Sequence, residues 1–478
     1  MTSDERIAEL EDLVRQQRQQ LEVALAQNAV LQARIQELEA RSSKDSHNSS
    51  KPPSSDGLAR KTKSLRRRSG RKPGGQIGHR GETLRLVATP DTLVEHRPAL
   101  CSRCYAPLGK EASVVLRERR QVQELPPLRL VVTEHQALQL RCPSCHAVTR
   151  GVFPALVPSR VQYGPQLRAL AVYLVEQQLV PYSRVRELLA DLLGATLSLG
   201  TLVAWVSRAA MTLEPVEAQI KAALARAPVL HSDETGVRQA GRLAWAHVAS
   251  TKHLTHYAVH PKRGTEATDA IGILPRFRGV SVHDGWKPYR THTSCRHALC
   301  NIHHLRELTF LEEQYQQAWA KQLKDLLREM KKAADQARAS GATQLPSAER
   351  DGFVARYDAL LAAGLAANPP PVRAGAHRRG RQKQSPARNL LERLWLGRQE
   401  VLAFLDDLTI PFDNNQAERD LRMLKVQQKI SGCFRSPQGG RAFGRIRGYL
   451  SSLRKQGVKC LAALESVFAG QPLAPRCG

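Results

Sequence analysis

No apolar run in this chain approaches the length of a membrane span, and the first residues are too acidic and polar for a secretory signal. Both absences point to a cytosolic protein with no membrane partner. Acids are also in short supply: 44 Asp+Glu face 72 Lys+Arg, a formal net charge of +28 over 478 residues. Such a surplus calls for a polyanionic partner, nucleic acid or an anionic membrane surface, and says little about fold. Cysteines are few, and two pairs of the nine are spaced Cys-x-x-Cys. In a reducing compartment that spacing points to metal and away from disulfides.

Glycine and proline are missing from residues 7–38, and what is present keeps a heptad. Ile7, Leu10, Val14, Gln17, Leu21, Ala24, Asn28, Leu31, Ile35 and Leu38 fall at a and d, which predicts a coiled coil over residues 1–40. Asn28 at an a position is a device that fixes register in a parallel dimer, so self-association through this helix is expected. Residues 41–90 switch to Ser, Asn, Lys and Pro and read as a flexible basic linker. Within it Arg66, Arg67, Arg68, Arg71 and Lys72 are candidate phosphate contacts, adding salt-sensitive affinity without base specificity.

Residues 91–155 carry Cys101-Ser-Arg-Cys104 and Cys142-Pro-Ser-Cys145. Four thiolates make the tetrahedral shell of a structural Zn2+, with free or redox thiols the alternative. The strand-like runs Val114–Val122 and Leu130–Leu140, separated by Pro126-Pro127, predict a hairpin that brings the two pairs together. Residues 156–224 read as a helical domain, wholly helical over 165–210. Gly194 breaks the pattern and Ser198 caps the next helix, which fits a helix-turn-helix DNA-binding domain and a simple packing bundle equally.

The second half carries the acids. Val229 to Gly236 reads as a buried strand ending at Asp233; Leu243–Ser250 and Leu254–His260 complete a meander. A helix from Thr265 to Ile273 and a strand ending at Asp284 follow. Far downstream, Pro411 to Arg422 reads as a helix entry with Asp413 as its cap and Asn415, Glu418 and Arg422 on one face. Asp233, Asp284 and Glu418 together are the oxygen ligands that two Mg2+ (or Mn2+) ions require for in-line attack on phosphorus. Asp233 and Asp284 also suit turns, and Glu418 could pair with Arg422 at i+4. Glu234 points to the opposite strand face and ranks second.

Several stretches taken together resemble the DDE transposases of the insertion sequence 66 family, over nearly the full length. They are Asn48-Ser-Ser-Lys-Pro-Pro-Ser-Ser-Asp56, Lys72-Pro-Gly-Gly-Gln-Ile-Gly-His79, the two Cys-x-x-Cys pairs, His231-Ser-Asp-Glu-Thr235, Asp284-Gly-Trp-Lys-Pro-Tyr289 and Asn414 to Arg422. The tail from Lys429 through Gly440 and Ser451-Ser-Leu is also similar. Trp286 and Lys287 stand where small residues such as alanine are common, and Cys433-Phe-Arg435 replaces a more usual Phe-Ala-Gly-like run; neither removes an acid. The resemblance implies an RNase H-like α/β catalytic core with Asp233, Asp284 and Glu418 as catalytic acids, beside zipper, zinc-binding and helical DNA-binding modules. Its activity would be metal-dependent cleavage at transposon ends and transfer of the 3′-hydroxyl into target DNA, in the bacterial nucleoid, with accessory proteins of the same element as further partners.

On this reading the whole is an α+β multidomain chain. Its catalytic core spans 225–304 and 406–478, interrupted by a helical insertion over 305–405 with Leu305–Ser340 and Ala387–Asp406 helical by pattern and a basic loop at Arg373–Arg381. Arg419, Arg422, Lys425, Lys429 and Arg435, continued by Arg441, Arg445 and Arg447, read as a phosphate track. Cys300-Asn-Ile-His303 reads as core packing at a strand-to-helix junction or as a second metal site with Cys295 or His297. An RNase H-like nuclease or resolvase, and a non-catalytic DNA-binding regulator, are the competing functions.

Overall fold

The computed structural model describes residues 3–49, 74–79, 81, 83–370 and 384–477. Arg66, Arg67, Arg68, Arg71, Lys72 and the 373–381 loop lie outside the described residues.

Helix α1 (Ser3–Ser42) is unbroken for 40 residues, as its lack of helix breakers predicts. Its apolar stripe is exposed among the described residues: Leu10, Val14, Leu21, Leu31 and Ile35 are about half exposed or more. Its end docks, with Ala40 buried in the core of the helical insertion and, just beyond the helix, Lys44 over the Phe310 ring at 4.7 Å.

The cysteine segment departs from expectation. The hairpin is β1 (Gln139–Arg141) with β2 (Val148–Arg150), wrapped around Cys142–Cys145. Residues 114–122 and 130–138 form no ladder. Their apolar side chains, Val115, Leu116, Val122, Val131 and Val132 among them, have no core to cover and stand exposed. Alternation predicts a strand only where a second layer receives the apolar face.

Four helices follow: α2 (Pro165–Val172), α3 (Tyr182–Leu193), α4 (Leu199–Thr212) and α5 (Glu214–Ala225). Gly194 ends α3 in the left-handed region (φ +66°), and Ser198 Oγ accepts the Thr201 N–H at 3.0 Å to cap α4.

A five-stranded sheet organises the rest. Strands β3 (Val229–Gln239), β4 (Arg242–Ser250) and β5 (Thr255–His260) form the expected antiparallel meander. After α6 (Thr265–Ile271) the chain returns as β6 (Val280–His283), parallel to β3, and β7 (Arg296–Leu299) pairs parallel to β6. The order across the sheet is β5-β4-β3-β6-β7. Two strand expectations change. β3 does not end at Asp233 but runs on to Gln239, because β4 pairs with it from His231 to Gln239; it is the parallel pairing with β6 that stops at His231. β7 was anticipated only as an unbounded strand leading to the junction at Cys300: its four residues, Arg296–Leu299, show too little periodicity to set limits.

The insertion comprises α7 (Asn301–Tyr315), α8 (Ala318–Ala339), α9 (Ser347–Ala367), α10 (Pro386–Leu396) and α11 (Arg398–Asp406). The two long helical stretches expected there are each divided in two, at Gln316–Gln317 and at Gly397. Their shared core also takes in Val280, Val282 and Phe412.

Helices α12 (Asn415–Ser431), α13 (Pro437–Lys455) and α14 (Cys460–Phe468) complete the chain. α13 covers the edge strand β5 at very short range through glycines four residues apart. A Cβ at Gly444 would stand 2.9 Å from the Tyr257 carbonyl oxygen, and one at Gly448 3.0 Å from that of Thr255. Ser452 Oγ accepts from the Thr255 N–H at 2.9 Å, and Lys455 Nζ donates to the Thr251 carbonyl at 2.9 Å and to Asp420 at 2.8 Å. The tail glycines thus let a helix lie flush on backbone and shield a sheet edge.

Candidate active site

Two strands and one helix build the site. Alternation along β3 places His231, Asp233, Thr235 and Val237 on one face. That face receives α12, whose Ala417, Leu421 and Leu424 pack with Val237, Ala246 and Val248. Strand β6 sets Val282 level with His231; the same register, continued two residues past the end of pairing, sets Asp284 beside Asp233. Gly285 then turns at φ +89°, and Asp284 Oδ1 accepts the Trp286 N–H at 2.9 Å. The Gly285 N–H donates to His283 Nδ1 at 3.0 Å, and His283 Nε2 bonds His297 Nδ1 on β7 at 3.0 Å. The turn that carries Asp284 is therefore anchored across two strands.

Glu418 lies in the first turn of α12. Asp413, expected as the cap, accepts only the Asn415 N–H at 3.1 Å. The residue in the cap position is Asn414, and its side chain is used across the interface. Its Oδ1 accepts from His231 Nδ1 at 2.9 Å and its Nδ2 donates to the Ser232 carbonyl at 2.9 Å. Its backbone N–H donates to Cys300 Sγ at 3.2 Å. Asn414 thus fixes the start of α12, and with it Glu418, against the strand that carries Asp233. The sequence showed Asn414 as part of a motif; its pairing with His231, 183 positions away, had no local signal.

The electrostatics follow from this gathering. Asp233 is pushed up to about 8, first by burial and then by the carboxylates of Glu234, Asp284 and Glu418, with only the Glu234 N–H pulling the other way. Among the described residues no lysine or arginine forms an ion pair with Asp233 or Asp284, and Glu418 pairs with His303 Nε2 at 3.9 Å and not with Arg422. Three oxygen donors of like charge without a basic neighbour between them are of the chemical kind that Mg2+ or Mn2+ takes, although among the described residues their oxygens do not all lie within 4.8 Å of one another.

Glu234 faces the other way, as alternation predicts, and is engaged there. Arg263 donates to its Oε1 through Nε at 3.0 Å and Nη2 at 2.7 Å, and Tyr289 donates to Oε2. The Arg263 guanidinium lies 4.7 Å from the Trp245 ring centre and 4.2 Å from that of Trp286. Burial raises Glu234 above the ordinary carboxylate range against these two partners. The role of Arg263, which ties β4 and the Asp284 turn together, was not legible in sequence because neither tryptophan is its neighbour in the chain.

Basic residues flank Glu418. Arg419, Arg422, Lys425 and Lys429 on α12, and Arg435 after it, are exposed or half-buried, and among the described residues none forms an ion pair with a carboxylate. Two further members of the expected phosphate track are corrected. Arg447 is buried and donates to the Glu176 and Gln177 carbonyls, both at 3.0 Å. Arg445 is consumed by Glu217 at 2.6 Å and the Ala210 carbonyl at 2.9 Å. Both hold the helices before the sheet onto α13.

The cysteine pairs form two copies of one turn. Tyr105 N–H donates to the Cys101 carbonyl and His146 N–H to that of Cys142, at 3.0 and 2.9 Å. Tyr105 and His146 each adopt a positive φ, +57° and +59°. Backbone N–H groups at Cys104 and Cys145 hold the Cys101 and Cys142 thiols below their usual range. The two turns do not, however, bring their four sulfurs within sharing distance of one ion. Among the described residues, the group of donor atoms that does lie that close is Cys300, His303 and Glu418. Cys300 and His303 therefore lie together with Glu418, and not with Cys295 or His297.

These features define an α+β protein whose mixed sheet gathers acidic side chains beside a basic helix. The pattern described as Transposase IS66 family matches residues 160–442, more than half of the chain, and the chain belongs to that family. Membership carries transposase function, with DNA as partner and nucleotidyl transfer as the chemistry. Residues 1–85 match a Family of unknown function (DUF6444). The chain is also similar to the Uncharacterized protein y4jD of Sinorhizobium fredii (strain NBRC 101917 / NGR234), 23% identical over 406 residues, 79% of this chain and 76% of that protein. No helix among the described residues is long and apolar enough to cross a membrane.

Proposed function

We infer that this transposase cuts at the ends of its element and joins the freed 3′-hydroxyl to target DNA, using Asp233, Asp284 and Glu418 as an RNase H-like acid triad. The observation that carries this is the placement of the three carboxylates, on β3, in the turn after β6 and in the first turn of α12, where Asp284 and Glu418 add to burial and Glu234 in raising Asp233 to about 8; their oxygens do not all lie within 4.8 Å of one another, so the ions would draw them together. When bound between them, two Mg2+ or Mn2+ ions supply activation of the attacking hydroxyl and stabilisation of the leaving oxygen. The chain's own residues do the rest. Asn414 and His231 hold Glu418 in place, the Gly285 turn aims Asp284, and the buried face of β3 keeps Asp233 from drifting. Arg419, Arg422, Lys425, Lys429 and Arg435 grip the DNA backbone alongside, and strand order β5-β4-β3-β6-β7 is the frame that such a core uses.

The outlying parts fit the same function. The exposed stripe of α1 pairs with a second copy of this chain, placing two active sites on one pair of ends. Cys101, Cys104, Cys142 and Cys145 close on a structural Zn2+, their two preformed turns swinging together on the extended segment between them. The helices α2–α5 contact the element ends, and accessory proteins of the element act with the assembled complex.

Purified protein with Mg2+ and labelled element-end DNA tests this reading. Cleaved and joined products are expected, and Asp233→Asn or Glu418→Gln should reduce both by at least about 10²–10³-fold, the scale of losing one preorganised charged group, while DNA binding stays within a factor of a few. Cleavage without joining would make the protein a nuclease. Loss of DNA binding in both variants would make the acids structural.

A further inference from the structure

Three side chains at the mouth of the acid crevice form a group of a different chemical kind. Cys300 occupies the cap position of α7, His303 lies in its first turn, and Glu418 lies in the first turn of α12. Their Sγ, ring nitrogen and carboxylate oxygen all lie within 4.8 Å of one another. His303 Nε2 stands 3.9 Å from Glu418 Oε1, beyond hydrogen-bond range, and His303 Nδ1 is enclosed with no hydrogen-bond partner. No hydrogen bond therefore claims either ring nitrogen. Cys300 Sγ already accepts the Asn414 N–H at 3.2 Å, the kind of support that orients a ligand sulfur.

We propose that Cys300, His303 and Glu418 bind a thiophilic divalent ion, Zn2+, in a site separate from the all-oxygen Mg2+ site but sharing Glu418 with it. Sulfur and imidazole select Zn2+ over Mg2+. In a tetrahedral shell with Zn–S about 2.3 Å and Zn–N or Zn–O about 2.0–2.2 Å, ligand atoms stand roughly 3.3–3.7 Å apart. The present spacing needs a closure of about an ångström, which rotation of the half-buried Glu418 and His303 side chains supplies. Cys300 supplies its thiolate, releasing one proton on binding. Three protein ligands leave the fourth position toward solvent, where both Glu418 and His303 remain accessible, at 31% and 17% side-chain exposure.

The consequence rests on the triad reading. A carboxylate held by Zn2+ on the Cys300 side is withdrawn from Asp233 and Asp284, so the ion switches strand cleavage off until it is removed. The binding itself does not depend on that reading.

The test uses the full chain, stripped of metal and titrated with Co2+ as a visible substitute for Zn2+. The wild type should show thiolate-to-cobalt absorption from this site in addition to any from Cys101, Cys104, Cys142 and Cys145. Cys300→Ser and His303→Gln should each remove one equivalent of bound ion or weaken it by more than about 100-fold, whereas Cys101→Ser with Cys142→Ser should leave that equivalent in place. His303 is only partly buried, so His303→Gln gives a decisive result even if Cys300→Ser fails to fold. Stoichiometry and spectrum unchanged in His303→Gln would overturn the site. One equivalent of Zn2+ beyond that taken up by Cys101, Cys104, Cys142 and Cys145 should also suppress Mg2+-dependent DNA cleavage by the wild type and not by His303→Gln; suppression equal in both would overturn the switch. Because binding is read without turnover, a wild type that never cleaves DNA would count against the transposase mechanism and leave the metal site standing.

Discussion

At the scale of single residues, Asp233 is buried and feels the carboxylates of Glu234, Asp284 and Glu418. The folded chain keeps the Asp233 proton up to about 8, whereas the unfolded chain releases it near 4. Over that window the folded state binds the extra proton, so stability is greatest at the acid end and falls as pH rises toward 8. Asp233→Asn removes the repulsion. It should raise the melting temperature at pH 8 by roughly 2–4 °C while abolishing cleavage, and differential scanning fluorimetry reads the shift. Mg2+ or Mn2+ should stabilise the wild type at pH 8 and have little effect on the variant. A variant that melts lower than wild type would place Asp233 among structural residues.

At this scale the sequence was informative about type and direction. Strand alternation told Asp233 from Glu234, and the structure places Glu234 on the opposite face, bonded to Arg263 and Tyr289. It did not reveal Asn414 bridging to His231, nor Arg263 between Trp245 and Trp286, since such partners are chosen by tertiary packing and leave no local period.

Elements show a related division. The meander, the strand into Asp284 and the caps at Gly194 and Ser198 follow from local chemistry and were legible. The bounds of β7 and the continuation of β3 were not, because both depend on a partner strand supplied from elsewhere. The runs at 114–122 and 130–140 erred in the opposite sense: they alternate, but nothing covers them. Helix α13 gives a test at this scale. Gly444→Ala would drive a Cβ to 2.9 Å from the Tyr257 carbonyl oxygen, a backbone atom of the sheet edge. Overpacking of about 1–3 kcal/mol outweighs a helix-propensity gain of at most about 1 kcal/mol, so the variant should be less stable by roughly 1–2 kcal/mol. Gly352→Ala in α9, where a Cβ meets nothing within 4 Å, should instead stabilise the fold by up to about 1 kcal/mol. Urea titration of the pair would show opposite signs. Matching signs would remove the close approach of α13 as the reason for its glycines.

For the molecule as a whole, the net charge of +28 sets the terms of encounter with DNA. Long-range attraction comes from the total, but grip near the crevice comes from the basic stripe on α12. Replacing Arg422, Lys425 and Lys429 together with alanine should lower the slope of log affinity against log salt by about 0.9 for each phosphate that is no longer neutralised, with no change in sequence preference. Fluorescence anisotropy at several salt concentrations measures this. An unchanged slope would move the DNA path to another face. Arg445 and Arg447 show why charge alone misleads here: both count toward the surplus, yet each is consumed in holding helices together.

The central claim is that three acids, distant along the chain, share divalent cations. Counting bound Mn2+ by electron paramagnetic resonance, in wild type and in Asp233→Asn, Asp284→Asn and Glu418→Gln with Cys300 and His303 intact, tests it most directly. The account predicts two strongly held ions per wild-type chain and the loss of at least one in each variant. Undiminished binding in Glu418→Gln would contradict it, because the helix carboxylate would then take no part in the shared site.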